Sequence, residues 1–320
     1  MLRTTTTTLR KPTTMARGFS SAANKIGIIG LGQMGGHMAR NLAAAGNHLV
    51  VFDVVDANVQ AAKAHGKVDA AATPREVAKQ CHTIVTMLPS TPHVQEVYLG
   101  STGLIHELTK DHLLIDSSTI DPTFTKSLSA TISETGALII DAPVSGGVNG
   151  AKNATLTFMV GGSTPAFDKA QKVLKQMGKN IVHCGGPSTG QAAKICNNLA
   201  LAIQMTSVAE ALTLGDKLGI DPKVLSSIMN TSTSQCWSTT ANNPYPGVME
   251  GVPASNDYNG GFASVLMRKD LGLAIDAAKS VEASIPLTSS VHQFYNMIVN
   301  TGHGKKDFGY ILKFLEGKHA

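Results

Sequence analysis

Several things are scarce or missing in this sequence, and each absence closes a route. The four cysteines, Cys81, Cys184, Cys196 and Cys236, form no CxxC pair and show no metal-ligand spacing. They read as reduced thiols, so neither a disulfide framework nor a zinc site is expected. Eleven histidines are scattered without an HExxH pattern, and no metal is expected. No run of 18 apolar residues occurs, so no segment is long enough to cross a bilayer as a helix. Lys and Arg nowhere cluster with interleaved aromatics, which argues against a nucleic-acid surface.

Acid is missing from one place in particular. Residues 1–24 carry Arg3, Arg10, Lys11 and Arg17 but no Asp or Glu. The whole chain has a net charge of +5, yet without these four residues 23 basic side chains face 22 acidic ones. The basic excess therefore belongs to the leader. Rich in Ser and Thr, Arg-bearing and acid-free, residues 1–24 have the composition of a mitochondrial import presequence, which would place the protein in the matrix. A disordered tail is the plainer alternative.

The ordered pattern begins at Lys25. With 320 residues, 42% of them hydrophobic, the chain has material for two domains more readily than one. The apolar run Lys25–Ile29 leads straight into GLGQMGGHMARNLAAAG, setting Gly30, Gly32 and Gly35 in the G-x-G-x-x-G spacing. Such a strand, turn and helix unit holds a dinucleotide: one glycine makes the turn, one lets backbone approach the pyrophosphate, and one lets helix pack on strand. The next apolar run, His48–Phe52, ends in Asp53, 23 residues after Gly30. An acid there can accept from both ribose hydroxyls and would repel a 2′-phosphate. Val54 and Val55 offer no cation for that phosphate, so NAD is expected rather than NADP. Alternatively, Asp53 merely caps the next helix.

Further strand-like runs follow at Thr83–Leu88, Leu113–Asp116, Leu138–Asp141, Leu156–Val160 and Asn180–Cys184. Helical patterns alternate with them, which predicts an α/β fold with a mainly parallel sheet. Ligands in such folds bind beyond the carboxyl ends of the strands, which directs attention to residues 88–90, 116–119 and 141–147. After about residue 188 the β pattern stops, and helices are expected over 190–215, 222–229, 264–281, 287–300 and 307–315. The predicted organisation is a leader (1–24), a Rossmann-type dinucleotide-binding domain (25–188) and an all-α domain (189–320). Residues 231–261 form a long loop-rich stretch, the kind that is usually functional or disordered.

Three groups of residues could carry chemistry. In DAPVSGG, Ser145, Gly146 and Gly147 offer a hydroxyl and exposed backbone N–H groups for a carboxylate, or form an ordinary glycine-rich turn. The long helix predicted over 190–215 would extend about 38 Å, from one domain into the other. On it Lys194 and Asn198 are i,i+4 neighbours pointing at one spot. If partly buried, Lys194 could exchange a proton with a substrate hydroxyl; otherwise it is a surface lysine. Lys269–Asp270, read as opening another helix, is either a salt-bridged helix start or a cation reaching the cofactor.

Taken together, these stretches resemble the β-hydroxyacid dehydrogenase family from about Lys25 almost to the C-terminus. IGIIGLGQMGGHMARNLAAAG is similar to its dinucleotide fingerprint, which implies cofactor contacts at Gly30, Leu31, Gly32, Gln33, Met34, Gly35 and Asp53. DAPVSGG is similar to its substrate signature and implies contacts at Ser145, Gly146 and Gly147. GQAAKICNN resembles its catalytic segment, which implies Lys194 as general acid/base and Asn198 as its positioning partner. MRKDLGLA resembles a fourth motif, implying Lys269 near the nicotinamide and Asp270 supporting the substrate side. By the same correspondence Leu88, Pro89 and Thr119 line the cofactor cleft, with Thr119 also reaching substrate.

The stretch from Cys236 to Phe262 is similar to the branch that oxidises (S)-3-hydroxyisobutyrate to methylmalonate semialdehyde with NAD. It implies Trp237 and Phe262 at the pocket, Phe262 close to the cofactor. Tartronate-semialdehyde, succinate-semialdehyde and glyoxylate reductases share the motifs up to Lys194 and are the alternative. A non-catalytic cofactor-binding relative typically lacks the lysine. The resemblance also implies a homodimer or homotetramer. One departure is Ser188, where the family commonly has glycine; a side chain there restricts φ.

Overall fold

The computed structural model describes residues 25–318, so the presequence expectation for 1–24 lies outside the described residues. Strand β1 (Lys25–Ile29) is central because it is apolar on both faces: Ile26, Ile28 and Ile29 are all buried. It pairs in parallel with β2 (His48–Phe52) on one side and β4 (Thr83–Thr86) on the other. The sheet continues outward through β3 (Val68–Ala70) beyond β2, and through β5 (Leu113–Asp116) and β6 (Leu138–Asp141) beyond β4. All these pairings are parallel, and the near-continuous apolar runs of every strand but the edge strand β3 suit a sheet buried on both faces.

The polarity then changes. Strand β8 (Leu156–Gly161) runs antiparallel to β6 and to the two-residue β7 (Val144–Ser145), and β9 (Gly178–Gly185) is parallel to β8. The connections between strands are helices α1 (Gly35–Ala44), α2 (Asp56–Lys63), α3 (Pro74–Gln80), α4 (Thr91–Leu99), α5 (Pro122–Glu134), α6 (Gly147–Lys152) and α7 (Thr164–Leu174). Two hydrophobic clusters fill the space between sheet and helices. One holds Met38, Leu42, Val51 and Phe158; the other holds Val77, Ile84, Tyr98 and Leu128.

Helix α8 (Thr189–Lys217) has 29 residues and so extends about 44 Å. Its start packs on β8 and β9, and further along it packs against α11 (Ser264–Ser280), α12 (Pro286–Ile298) and α13 (Ile311–Leu315). A third hydrophobic cluster surrounds it there, including Met205, Leu212, Met267, Tyr295 and Ile311. Between α8 and α11 lie α9 (Pro222–Thr231) and the short α10 (Trp237–Thr240). No helix among the described residues is long and apolar enough to cross a membrane.

The stretch 231–261 is loop-rich, as expected, interrupted by α10 and by a 3-10 turn at Pro253–Asn256. Two local expectations are corrected. Residues 141–147, read as a strand end with a glycine-rich turn as the alternative, leave β6 at Asp141, pass through the two-residue β7 and enter the six-residue α6 at Gly147. Lys269 does not open a helix: α11 begins at Ser264, and Lys269 stands in its second turn.

Candidate active site

The glycine loop between β1 and α1 has the shape its spacing predicts. Gly30 has φ +89 and Gly32 has open space where a side chain would be. A Cβ on Gly35 would run into the Gly30 carbonyl oxygen, so only glycine lets α1 start this close to the strand. Leu31 is buried, Gln33 is exposed, and Met34 stands at the N-terminus of α1. Asp53, at the end of β2, accepts from Leu31 N at 2.6 Å and from Val55 N at 2.7 Å. It therefore ties the glycine loop to the second strand. Helix α2, whose N-terminal residue Val55 makes no side-chain cap bond, does not use it as a cap.

The strand ends form a second wall. Leu88 N donates to Ser118 Oγ at 2.9 Å, and Ser118 Oγ donates to Asp116 Oδ1 at 2.6 Å. Asp116 also accepts from Thr86 Oγ1 at 2.8 Å. Burial pushes the Asp116 carboxyl up to about 6, against the hydrogen bonds from Ser118 and Thr86, and the neighbouring Asp141 carboxylate pushes the same way. His93, on α4, is an exposed residue whose Nδ1 meets Ser90 Oγ at 2.7 Å.

Across from this wall, α8 presents Lys194 and Asn198. Lys194 is buried, at 7% exposure, and its Nζ donates to Asn198 Oδ1 at 3.1 Å. Burial holds the ammonium below the ordinary lysine range; Asp270 pulls it back up and Lys269 pushes it further down. Asn198 Nδ2 donates to Asp270 Oδ2 at 2.6 Å. Asp270 Oδ1 lies 3.3 Å from Lys269 Nζ, a charge contact without hydrogen-bond alignment. Lys269 Nζ in turn donates to Thr119 O at 2.7 Å and to Pro89 O at 3.4 Å. Lys194, Asn198, Asp270, Lys269, Thr119 and Pro89 are thus one connected polar group, built from α8, α11 and the ends of two strands.

Ser145, Gly146 and Gly147 lie outside that hydrogen-bonded group. They end β7 and begin α6, with Gly146 at φ +129 and Gly147 at φ +59. Ser145 pairs with Thr157 on β8, the strand against which α8 packs. A third contingent is aromatic. The Trp237 ring stacks on Phe308 at 6.4 Å, and Phe262 meets the same ring edge-on at 6.1 Å. Phe262 is held by its N–H, which donates to Asp307 Oδ2 at 2.8 Å.

Sequence reading passed over several of these residues. Ser118 lies inside the strand-end segment 116–119 that α/β topology singled out, so that signal was present. Asp307 and Phe308 carried none: they meet Phe262 from 45 and 46 residues further along the chain. Gln191 sits within GQAAK, but its partners Ser118 and Ile120 are more than 70 residues away. Among the described residues no group of three or more His, Cys, Asp or Glu could hold a metal ion.

Comparison with known proteins identifies what this arrangement is similar to. Residues 25–186 match the family model described as the NAD binding domain of 6-phosphogluconate dehydrogenase. Residues 188–315 match the one described as NAD-binding of NADP-dependent 3-hydroxyisobutyrate dehydrogenase. A probable mitochondrial 3-hydroxyisobutyrate dehydrogenase of Dictyostelium discoideum is 49% identical, covering 92% of this chain and 92% of that protein. The mitochondrial 3-hydroxyisobutyrate dehydrogenase of Mus musculus is also 49% identical, over 91% of this chain and 86% of its own. Among solved structures, the Mycobacterium tuberculosis 3-hydroxyisobutyrate dehydrogenase with L-serine superposes with a TM-score of 0.87. It shares 38% identity over 92% of this chain and 99% of that one.

Proposed function

The chain belongs to the 3-hydroxyisobutyrate dehydrogenase family, and from that premise we propose that it oxidises (S)-3-hydroxyisobutyrate to methylmalonate semialdehyde with NAD. One observation carries the reading: a buried lysine held by Asn198, which Asp270 holds in turn, in a polar group that Lys269 ties to the strand ends at Pro89 and Thr119. A cofactor-binding module without catalysis would have no use for a buried lysine in such a network.

The residues present fit the dinucleotide. Gly32 leaves room for a pyrophosphate at the start of α1, where free N–H groups favour negative charge. Asp53 places a carboxylate at the ribose end, beside the exposed Val54 and Val55, so the adenosine hydroxyls are favoured over a 2′-phosphate. NAD, when bound, supplies the hydride acceptor.

The protein supplies the rest. The substrate carboxylate rests on the backbone N–H groups of Gly146 and Gly147 and the hydroxyl of Ser145. Trp237 and Phe262 enclose the branched carbon. Because Asn198 Nδ2 is committed to Asp270, its Oδ1 must face Lys194. Neutral Lys194 donates one hydrogen to that oxygen and turns its lone pair to the substrate hydroxyl. As the hydride leaves carbon, Lys194 takes the hydroxyl proton, and the C=O bond forms. Burial lowers the lysine pKa, which raises the neutral fraction available for this step.

Two further parts of the reading concern place and assembly. The relatives are named mitochondrial, and residues 1–24 have a presequence composition, so we place the protein in the mitochondrial matrix. We also assign a homo-oligomer. Leu214 and Leu218 near the end of α8, with Val224 and Ile228 on the adjoining α9, are exposed apolar side chains suited to a second copy. The test of the substrate is NADH formation from (S)-3-hydroxyisobutyrate, beside reduction of tartronate semialdehyde, succinate semialdehyde and glyoxylate with NADH and NADPH. Faster turnover of a reductase substrate would overturn the assignment.

A further inference from the structure

Gln191 is the third residue of α8 and is completely buried. Its Nε2 donates to Ser118 O at 2.7 Å, and its Oε1 accepts from Ile120 N at 3.1 Å. The carboxamide thus pairs with the main chain on either side of Thr119 as a neighbouring strand would, one donor and one acceptor to residues i−1 and i+1. The same residue is fixed a second time: its backbone N–H donates to Asp141 Oδ2 at 2.9 Å, while Ser188 N donates to Asp141 Oδ1 at 2.8 Å. Asp141 and Asp116 are register partners at the ends of β6 and β5. The first turn of α8 is therefore docked on two adjacent strand ends at once.

What this docking joins is specific. Ser118, which receives the Gln191 amide, also holds Leu88 N through its hydroxyl. Thr119, bracketed by Gln191, accepts from Lys269 on its other side. Lys194 is three residues beyond Gln191 on the same helix, a neighbour on its surface. One side chain thus spans from the lysine-bearing helix to the backbone of the cofactor wall. A methionine would fill this space without the desolvation cost of a buried amide. That cost is offset by fixing the wall at a set distance from Lys194.

Resting on the function proposed above, we infer that Gln191 is a positioning residue of the reaction: its carboxamide, docked around Thr119, sets the separation between Lys194 and the cofactor wall. The hydride and proton leave neighbouring atoms of one substrate, so the acceptor and the lysine must be aligned together. Misplacement of about 1 Å costs roughly 100-fold in rate at such sites. Loss of the bracket should slow the chemical step while leaving cofactor affinity in place.

The experiment compares full-length wild type with Gln191→Met, close in volume and unable to make either hydrogen bond. Single-turnover NADH formation is followed by stopped flow with enzyme in excess, normalised to sites titrated with NAD. The substrates are (S)-3-hydroxyisobutyrate, L-serine and 3-hydroxypropionate, each also deuterated at the carbinol carbon. The expected result is a hydride-transfer rate per NAD site lower by roughly 10- to 100-fold, retaining a primary isotope effect, with NAD affinity within about 3-fold of wild type. A rate within about 3-fold of wild type overturns the inference, as does a loss explained wholly by fewer competent sites. Should Gln191→Met not fold, Gln191→Glu gives the same reading, since it keeps the acceptor for Ile120 N and replaces the donor facing Ser118 O. Wild-type turnover of L-serine or 3-hydroxypropionate but not (S)-3-hydroxyisobutyrate overturns the substrate assignment alone. Inactivity on all three overturns both.

Discussion

Asn198 donates through Nδ2 to Asp270 Oδ2 at 2.6 Å while its Oδ1 accepts from Lys194 Nζ at 3.1 Å. One carboxamide therefore links the buried lysine to a buried carboxylate on another helix, and its orientation is set by that acid. Asp270 also acts on Lys194 through space, raising a pKa that burial has lowered.

Replacing Asp270 by Asn removes that charge at nearly constant shape. Lys194 then falls further below the ordinary lysine range, because the group that favoured its charged form is gone. In the oxidation direction, where neutral lysine is the active form, the acidic limb of the kcat/KM profile should move to lower pH. A pH series with wild type and Asp270→Asn checks this. A limb that stays in place or moves up contradicts the assignment of Lys194 as base.

Asp53 holds the Leu31 and Val55 N–H groups, and under the proposed function it also takes the adenosine ribose. Asp53→Ala should raise the KM for NAD by roughly 10-fold or more, about the worth of a charge-assisted hydrogen bond. The double change Asp53→Ser with Val54→Arg should reverse the preference toward NADP, since the repelling charge is gone and a cation stands by the 2′-phosphate. Ratios of kcat/KM for the two cofactors measure it.

Much of this was legible in the sequence, and the reason is local. The glycine loop reads from Gly30, Gly32 and Gly35 because one strand, one turn and one helix lie consecutively. Helix α8 reads from its length and from Lys194 and Asn198 at i,i+4. Val68–Ala70 was not legible: three residues with little apolar pattern form an edge strand only because β2 is there to pair with. The same holds for Val144–Ser145, which is too short to show a period. The supports of the site, Gln191 on Ser118 and Ile120, and Asp141 on Ser188, join residues 47 to 73 positions apart. Nothing in a single chain's local pattern announces such pairs.

Ser188 departs from the glycine common in the family, and its φ of +72 shows the reason for that glycine. Its hydroxyl makes no cap hydrogen bond to α8, since Asp141 caps the helix from β6. Ser188→Gly should stabilise the protein by about 1 kcal/mol, the relief of a left-handed non-glycine residue less the added chain entropy of glycine. Chemical denaturation midpoints decide it, and a destabilised variant would contradict this view of the loop.

Asp116 is buried with one carboxylate oxygen unpartnered among the described residues. Its carboxyl titrates at about 6 in the fold, above its ordinary value of 3.8, so the native state favours the protonated acid. That contribution is present below about pH 4 and is lost as pH rises through 6. Asp116→Asn cannot ionise. It should be more stable than wild type at pH 8 by on the order of 2–3 kcal/mol, with the gap closing near pH 4. Thermal unfolding at both pH values reads the difference.

The central claim is that Lys194 moves the proton. The most direct measurement is the rate of NADH formation from (S)-3-hydroxyisobutyrate by wild type and Lys194→Ala, with NAD affinity measured on the same samples. The account predicts a fall of roughly 100- to 10,000-fold, the usual worth of a positioned acid/base group, with NAD still bound. Lys194→Ala turning over near the wild-type rate would contradict it and assign the proton to another residue.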